Sequence, residues 1–336
     1  MAEPEKNPLE KVIDWFSGWK ASFDQLQGHI GGLAAVLLFL LVVSALIWWK
    51  WEDIIKRPGV KWFIDCLTSF VFSGRLMRVS KGIEATRVAE AERLAGEGRH
   101  EQARTAYDEA RTLYRQVGNR LGEANVLAGL GRLESVLGRN EQARTAYDEA
   151  RTFYKQLGHR FGEAGVLAGL GDLERVLGRH EQARTAYDDA RTLYRQMDDR
   201  LGEANVLSGL GHLECGLGRH EQARTAFDEA RTLFEQEGHR LGEANVLAGL
   251  GALENRLGRH EQARTAYDDA RTLFEQVGNR LGEANVLRGL GDLESELGRN
   301  EQARTAYNDA AQLFGSLGMM NNRDEALRAA KLALPK

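Results

Sequence analysis

Apolar residues in most of this chain recur at helical spacing, within a pattern that repeats every forty positions. The string from Glu141 to His180 has near-identical copies that begin at Glu101, Glu181, Glu221 and Glu261, and a shorter copy that begins at Glu301. A fixed period of this length is typical of solenoids, in which each unit stacks on its neighbours to bury one continuous core. The pattern therefore predicts an all-α repeat array over most of the chain.

Each unit contains two amphipathic helices, which we name helix A and helix B in chain order. The first apolar face comprises Ala124, Leu127, Leu130 and Leu137, and the second comprises Ala143, Tyr147, Ala150 and Tyr154. The segment between them predicts a turn, with Gly138 just past the end of helix A and Asn140 as the N-cap of helix B. Gly129 and Gly131 each cost a helix about 1 kcal/mol relative to alanine, so their repetition predicts a close approach of neighbouring helix A backbones.

The repeated unit resembles the tetratricopeptide repeat over residues 82–320. Leu127, Leu130, Gly131, Gly138, Ala143, Tyr147 and Ala150 stand at the relative spacings of that motif. The unit departs from the motif in its longer period, in Glu134 at a position that is usually aromatic, and in the lack of a proline closing helix B. The forty-residue period and the Gly-Glu-Ala start of helix A resemble the variant found in cell-polarity scaffolds such as Pins. The resemblance implies an α-solenoid in which helix A lines a concave, partner-binding groove.

Six units are predicted between residues 81 and 320, followed by a capping helix. The units span 81–120, 121–160, 161–200, 201–240, 241–280 and 281–320. Residues 321–336 predict the cap, with an amphipathic helix from Asp324 to Leu334 that covers the last apolar face. Fixed charges such as Arg104 and Glu134 recur in every copy. They favour solvated helix surface with i,i+4 pairs, and ion ladders between repeats are the alternative.

Residues 1–80 differ in composition from the repeats, since they hold all six tryptophans of the chain. Residues 1–28 predict an amphipathic helix with Trp19 and Phe23 on its apolar face. Aromatic residues on that face favour a helix lying in a membrane interface, while packing on the soluble repeats is the alternative. Residues 52–80 predict a second amphipathic segment, because Val60–Phe72 is apolar but too short to cross a bilayer.

Residues 29–51 predict a single transmembrane helix. Ile30–Trp49 carries no charged residue and is long enough to cross a hydrocarbon core of roughly 30 Å. Three lysines precede this segment, whereas seven Lys or Arg residues follow it within 50–81. The positive-inside rule therefore predicts that the amino terminus lies outside the membrane and that the repeats lie in the cytoplasm.

The positions that differ between copies predict a partner-binding site on helix A. Its candidate residues are Asn125, Arg132, Asp172, Arg175, Asn205, His212, Asn245, Asn255, Arg256, Asn285, Arg288, Asp292 and Glu296. Variation at these positions beside a constant core is expected of a groove that reads one extended or helical segment. Neutral drift of exposed positions would give the same pattern.

The sequence predicts no enzyme, cofactor site or metal site. No Walker loop, nucleophile set or paired-carboxylate cleft occurs, and the recurrent turn histidines are too far apart to share a zinc ion. The two cysteines define no disulfide framework, and a net charge of −4 does not favour nucleic acid. We therefore expect a membrane-anchored adaptor whose partners are a protein segment and the lipid bilayer. The alternatives are a homo-oligomeric coat or ring and an accessory subunit of a membrane complex.

Overall fold

The computed structural model describes residues 86–333, which form thirteen α-helices and contain no strand. Helix α1 runs through 86–96. The others are α2 (His100–Gln116), α3 (Arg120–Val136), α4 (Asn140–Leu157), α5 (Arg160–Val176), α6 (His180–Gln196), α7 (Arg200–Gly216), α8 (His220–Gln236), α9 (Arg240–Arg256), α10 (His260–Val277), α11 (Arg280–Glu296), α12 (Asn300–Ser316) and α13 (Met320–Leu332). Odd-numbered helices are of type A and even-numbered helices of type B. The predicted all-α solenoid is confirmed.

The predicted membrane segments 1–28, 29–51 and 52–80 lie outside the described residues. Within 86–333, no helix combines the length and the apolar character needed to cross a bilayer.

Stacking buries the apolar faces in a continuous series of cores. Each helix A packs most closely on the helix B that follows it, and each helix B packs in turn on the next helix A. Helices A of successive units also approach one another directly, in the series α3, α5, α7, α9 and α11, whereas the B helices do not do so to the same degree. The A helices therefore form one continuous row, which we name the helix A row.

Glycines end the helices as predicted, but the N-caps differ from the prediction. Gly138 adopts a φ of 69°, a left-handed conformation that favours glycine, and its N–H donates to Ser135 O. Asn140 is the first residue of α4 rather than its N-cap, and the cap position is Arg139, whose side chain makes no capping bond. Side-chain capping occurs instead on helix A, where Asn119 Oδ1 accepts from Gly122 N at 2.9 Å.

The last helix has the register of a further helix A. It begins at Met320, four residues before the predicted start, because it follows Gly318 as α11 follows Gly278. Ala326 and Ala330 are buried against the preceding unit. Lys331 stands forty residues after Gly291, so a charged side chain replaces the glycine that receives an aromatic ring in the other units. The helix thus covers the array with a polar outer face, as a terminal cap requires.

The repeated glycines of helix A make room for aromatic rings rather than for neighbouring backbones. A Cβ added to Gly131 would lie 2.5 Å from the Tyr147 ring, and one added to Gly169 would lie 2.9 Å from the same ring. Tyr147 therefore passes between two successive helices A, and the same arrangement recurs at Tyr187, Phe227 and Tyr267. The predicted close approach is real, but a helix B side chain occupies it.

A buried glutamate joins each repeat to the one before it. Arg104 Nε on helix B of the preceding unit lies 2.9 Å from Glu134 Oε1, and Arg139 Nη1 of the following turn lies 3.5 Å from Oε2. The same pair of arginines flanks Glu174, Glu214, Glu254 and Glu294, and all five glutamates are buried. The preference for solvated surface is therefore wrong for these charges, which form ion ladders between repeats.

Candidate ligand-binding groove

The helix A row carries all thirteen of the residues predicted to bind a partner. Ten of them are exposed, and Arg175, Asn255 and Arg288 are half-buried. They lie beside leucines and alanines that are buried in every unit. The variable positions and the constant core therefore occupy different faces of the same helices, as the sequence predicted.

Tyrosine hydroxyls from helix B emerge at this row between the A helices. Tyr187 donates to Asp172 Oδ1 at 2.6 Å, and Tyr307 donates to Asp292 Oδ1 at 2.7 Å. His212 stands forty residues after Asp172 and packs edge-on against Phe227, with ring centroids 5.0 Å apart. The variable residue at this position therefore meets the tip of the aromatic ring that separates two repeats.

The asparagines of the row fall into two classes. Asn125 Oδ1 accepts a hydrogen bond of 2.7 Å from Tyr154, and Asn205 Nδ2 donates to Leu201 O in its own helix. Asn245 and Asn285 make no side-chain hydrogen bond to any residue within 86–333. Their amides are therefore open to a ligand.

A change from tyrosine to phenylalanine on helix B explains the difference. Tyr154 supplies the hydroxyl that binds Asn125, but Phe234, Phe274 and Phe314 occupy the equivalent place beside Asn205, Asn245 and Asn285. Phenylalanine cannot donate, so no ring hydroxyl holds these three amides. Asn205 turns to Leu201 O of its own helix, while Asn245 and Asn285 keep their full hydrogen-bonding capacity. The substitution is visible in the sequence, where comparison of the copies could have found it.

Two predicted residues are already engaged by neighbours. Asn255 Oδ1 lies 3.4 Å from His260 Nδ1 in the following turn, so its side chain faces that turn. Arg256 Nη1 lies 3.5 Å from Cys215 O and 3.8 Å from Cys215 Sγ, which ties adjacent A helices together. Both residues belong to the row, but these contacts leave fewer of their side-chain donors and acceptors free for a ligand.

Burial and neighbouring charges set the protonation of the row. Burial raises the pKa of Tyr147 to about 12, with Arg132 lowering it and Asp172 raising it further. Burial also raises the pKa of Tyr267 to about 12, and Asp292 adds to that effect. These hydroxyls are therefore neutral donors at physiological pH.

The centre of the row is less charged than its ends. The pKa of His212 is lowered chiefly because the surrounding protein atoms desolvate most of its ring, although part of the side chain remains exposed. Arg175 lowers this pKa further, because its positive charge repels the charged form of the ring. His212 is accordingly neutral near pH 7. Asp292 and Glu296 make the carboxyl-terminal end acidic, whereas Arg132 stands near the amino-terminal end. A bound segment would therefore meet different charges along its length.

The outer side of the array has a second type of concavity. A cleft of 410 Å³ separates α4 from α6, with Leu167 and Leu170 at its floor and Arg144 and Asp189 on opposite walls. A cleft of 440 Å³ recurs one unit later, between α6 and α8. These clefts are nearly identical in sequence, so they lack the variation of the helix A row.

Comparison with solved structures supports the fold. The apo form of RapI is 12% identical with a TM-score of 0.55, covering 74% of this chain and 97% of that one. A Rap protein complexed with competence and sporulation factor is 15% identical with a TM-score of 0.57, covering 74% and 73%. A signal transduction ATPase with a tetratricopeptide repeat sensor, from Pyrococcus horikoshii, is 15% identical with a TM-score of 0.57, covering 97% and 53%. At these identities the likeness shows the fold alone.

Sequence comparison identifies the family directly. No curated protein matches this chain. The profile of the tetratricopeptide repeat, however, matches residues 84–156, 163–236 and 240–316, which together make up more than half of the chain. The matched segments contain the helix A row, its asparagines and the aromatic rings between the repeats. The chain therefore belongs to the tetratricopeptide repeat family.

Proposed function

We propose that this protein is a non-catalytic, membrane-anchored adaptor that binds a segment of a partner protein along the helix A row. One observation carries the proposal. The positions that differ between otherwise near-identical units gather on this row, beside the amides of Asn245 and Asn285, which have no partner among the described residues. Drift of exposed positions accounts for variation alone, whereas both open asparagines, Asn245 and Asn285, lie beside a phenylalanine in the place where Tyr154 holds Asn125.

The spacing of the asparagines suits a segment that follows the row. Helices in contact lie roughly 8–10 Å apart, so Asn205, Asn245 and Asn285 can each meet a different stretch of one bound chain. An amide both donates and accepts, which allows it to pair with main-chain groups whatever the sequence of the segment. Arg288, Asp292 and their neighbours then determine which segment is preferred.

The comparisons support this proposal at the level of the fold. A Rap protein of the same fold has been solved in complex with competence and sporulation factor. In the Pyrococcus horikoshii ATPase the repeats are described as a sensor. The forty-residue period also resembles Pins-type scaffold repeats, and this resemblance favours a role in binding other proteins.

We expect the variant Asn205→Ala/Asn245→Ala/Asn285→Ala to lose its protein partners. Each hydrogen bond contributes about 0.5–1.5 kcal/mol, so loss of three should weaken capture by roughly tenfold to about two-thousandfold. The measurement is a quantitative pull-down from solubilised membranes with the full-length chain. The folded state is checked by helical circular dichroism and by the melting temperature.

The matched control is Thr185→Ala/Thr225→Ala/Thr265→Ala on the outer side. These hydroxyls are exposed and donate only to carbonyls of their own helices. The control should capture the same proteins as the wild type. If the asparagine variant captured the same proteins as the wild type and the threonine variant lost them, the binding surface would lie on helix B.

The proposed location is a membrane, with residues 29–51 as the span and the repeats in the cytoplasm. The uncharged segment Ile30–Trp49 and the excess of Lys and Arg after it support this topology. Protease added to sealed, right-side-out vesicles should leave residues 81–336 intact and digest them only after the vesicles are opened. Digestion of the repeats in sealed vesicles would show that the repeats lie outside, which is the opposite orientation.

Self-assembly into a coat or ring is a second candidate. Its support is the recurrence of nearly identical outer clefts, which would let equivalent faces of several copies pair. This candidate predicts a defined homo-oligomer in mild detergent that persists in the asparagine variant. A monomer in the same detergent favours the adaptor.

A further inference from the structure

One edge of the array exposes most of the large apolar side chains that are open to solvent. Of thirteen such side chains within 86–333, nine lie where a helix B ends and the next helix A begins. They are Val117, Leu121, Leu157, Phe161, Leu241, Val277, Leu281, Leu317 and Met320. Phe161 is 61% exposed and Leu157 is 45% exposed, so solvent reaches a large part of each side chain and not only the margin of a core residue. Surface apolar residues gathered in this way mark a contact surface.

The opposite edge of the array has a different character. The turns that join helix A to helix B carry Gly-Arg-Asn or Gly-Arg-His, as in residues 138–140 and 178–180. Their arginines, such as Arg139, are held in ion pairs with the buried glutamates. Val136 and Val176 are exposed beside two of these turns, at 74% and 70%, so exposed apolar side chains are more numerous on the first edge but are not exclusive to it.

The first two turns of the apolar edge also carry cations without an anion. Arg120, Lys155 and Arg160 are exposed and form no ion pair with any residue within 86–333. We name residues 117–121 and 155–161 the basic apolar edge. Its two turns belong to successive units, so they lie about one helix-packing distance, roughly 8–10 Å, apart.

The third and fourth turns along the same edge lose this character. Arg200 lies 3.8 Å from Glu237, and Arg240 donates to Gln276 at 3.1 Å. Asp198 and Glu235 add negative charge at these turns. Arg280, between the exposed Val277 and Leu281, also forms no ion pair with any residue within 86–333. The combination of exposed apolar side chains with free cations is therefore densest at the end of the array nearest residue 86, where two successive turns carry three such cations.

We propose that the basic apolar edge rests on the surface of a bilayer that contains anionic lipids. Leu157 and Phe161 would insert among the head groups, while Arg120 and Arg160 would meet lipid phosphates. Aromatic and aliphatic side chains flanked by Lys and Arg bind the interface by burying apolar area and by attraction to anionic head groups. The acidic residues of the third and fourth turns would be repelled, so contact is centred on the first two.

A lipid surface suits this edge better than a protein partner does. The side chains project from turns along a line and do not enclose a pocket, whereas a protein hot spot requires a packed, desolvated centre. This inference rests on one part of the proposed function, the predicted transmembrane helix at 29–51, because that helix would hold the array near a bilayer. The helix A row and its ligand play no part in it.

The test uses the full-length chain with Cys66→Ser and Cys215→Ser, and with one new cysteine that carries an environment-sensitive fluorophore. Gln156→Cys places the label on the basic apolar edge, and His180→Cys places it on the opposite edge as the matched control. Both positions are exposed. Vesicles contain phosphatidylcholine with or without phosphatidylserine, and a nitroxide-labelled lipid serves as the quencher.

The lipid nitroxide should quench the label at position 156 several times more strongly than the label at position 180. The difference should be larger with phosphatidylserine, should shrink in high salt, and should vanish in Leu157→Asp/Phe161→Asp. Equal quenching at both positions, or a blue-shifted label at 156 without lipid quenching, would overturn the inference. Flotation of the protein with the vesicles separates this failure from failure of the anchor, since a protein that does not float contradicts both proposals.

Discussion

Removal of both arginines from one buried glutamate is expected to destabilise the array by about 3 kcal/mol. Glu254 is 4% exposed and lies between Arg224 of the preceding unit and Arg259 of the following turn. Arg224→Met/Arg259→Met leaves its carboxylate buried without a cation. The expected loss is at the lower end of the range for broken buried ion pairs, because both arginines are themselves partly exposed.

Hydrogen exchange in α8, α9 and α10 measures this loss. Each repeat contacts only its neighbours, so opening should concentrate there and not spread evenly along the array. The control adds Glu254→Leu to the two arginine changes. It should recover most of the stability, because an apolar replacement of a whole buried ionic group is neutral or stabilising. A double variant as stable as the wild type would show that the ladder contributes nothing.

The second large effect is expected at a glycine that receives an aromatic ring. A Cβ at position 251 would lie 2.6 Å from Tyr267 Cδ1, closer than real side chains approach. Gly251→Ala should therefore cost about 1–3 kcal/mol through overpacking, although alanine favours a helix by about 1 kcal/mol over glycine. Denaturant unfolding, followed by circular dichroism, measures the change.

Gly216 provides the matched control for this substitution. It lies in a helix A, but no atom lies within 4 Å of a Cβ placed there. Gly216→Ala should therefore be neutral or stabilising by up to about 1 kcal/mol. Adding Tyr267→Leu to Gly251→Ala should relieve part of the overpacking, so that the two costs are less than additive. Stabilisation by Gly251→Ala would contradict the account of the repeated glycines.

The sequence predicted the helices well because their signals are local. Apolar spacing defines each helix, and Gly138 with its equivalents marks where helix A ends. The N-cap of helix B was misplaced, since Asn140 has the right residue type but begins the helix itself. The last helix began earlier than predicted, because the apolar pattern in 320–323 is weak while the register of Gly318 is retained.

Contacts between repeats were harder to predict because periodicity does not reveal which faces meet. Glu134 and Arg104 are thirty residues apart, so their pairing depends on how one unit sits on the next. The glycines of helix A signalled a close approach, but not that the approaching group is the ring of Tyr147. The thirteen candidate residues lie together on the helix A row, since side chains that differ between units cannot belong to a shared core, and their role in binding stays a prediction.

This protein has a constant surface, which is the same in every unit, and a variable surface, which differs between units. Glutamate, arginine, glycine and aromatic positions build the same junction between every pair of units. Arg288, Asp292 and their equivalents differ from unit to unit and occupy the helix A row, together with the asparagines that include Asn245 and Asn285. The central claim is that the variable surface, and not the repeated one, contacts a partner.

Site-specific photo-crosslinking in native membranes tests that claim most directly. A photoreactive amino acid replaces Asn245 or Asn285 on the helix A row, and Thr225 or Thr265 on the outer side serves as the control. The account predicts discrete covalent adducts to a partner protein from positions 245 and 285, and none from positions 225 and 265. Adducts from the threonine positions alone would contradict it.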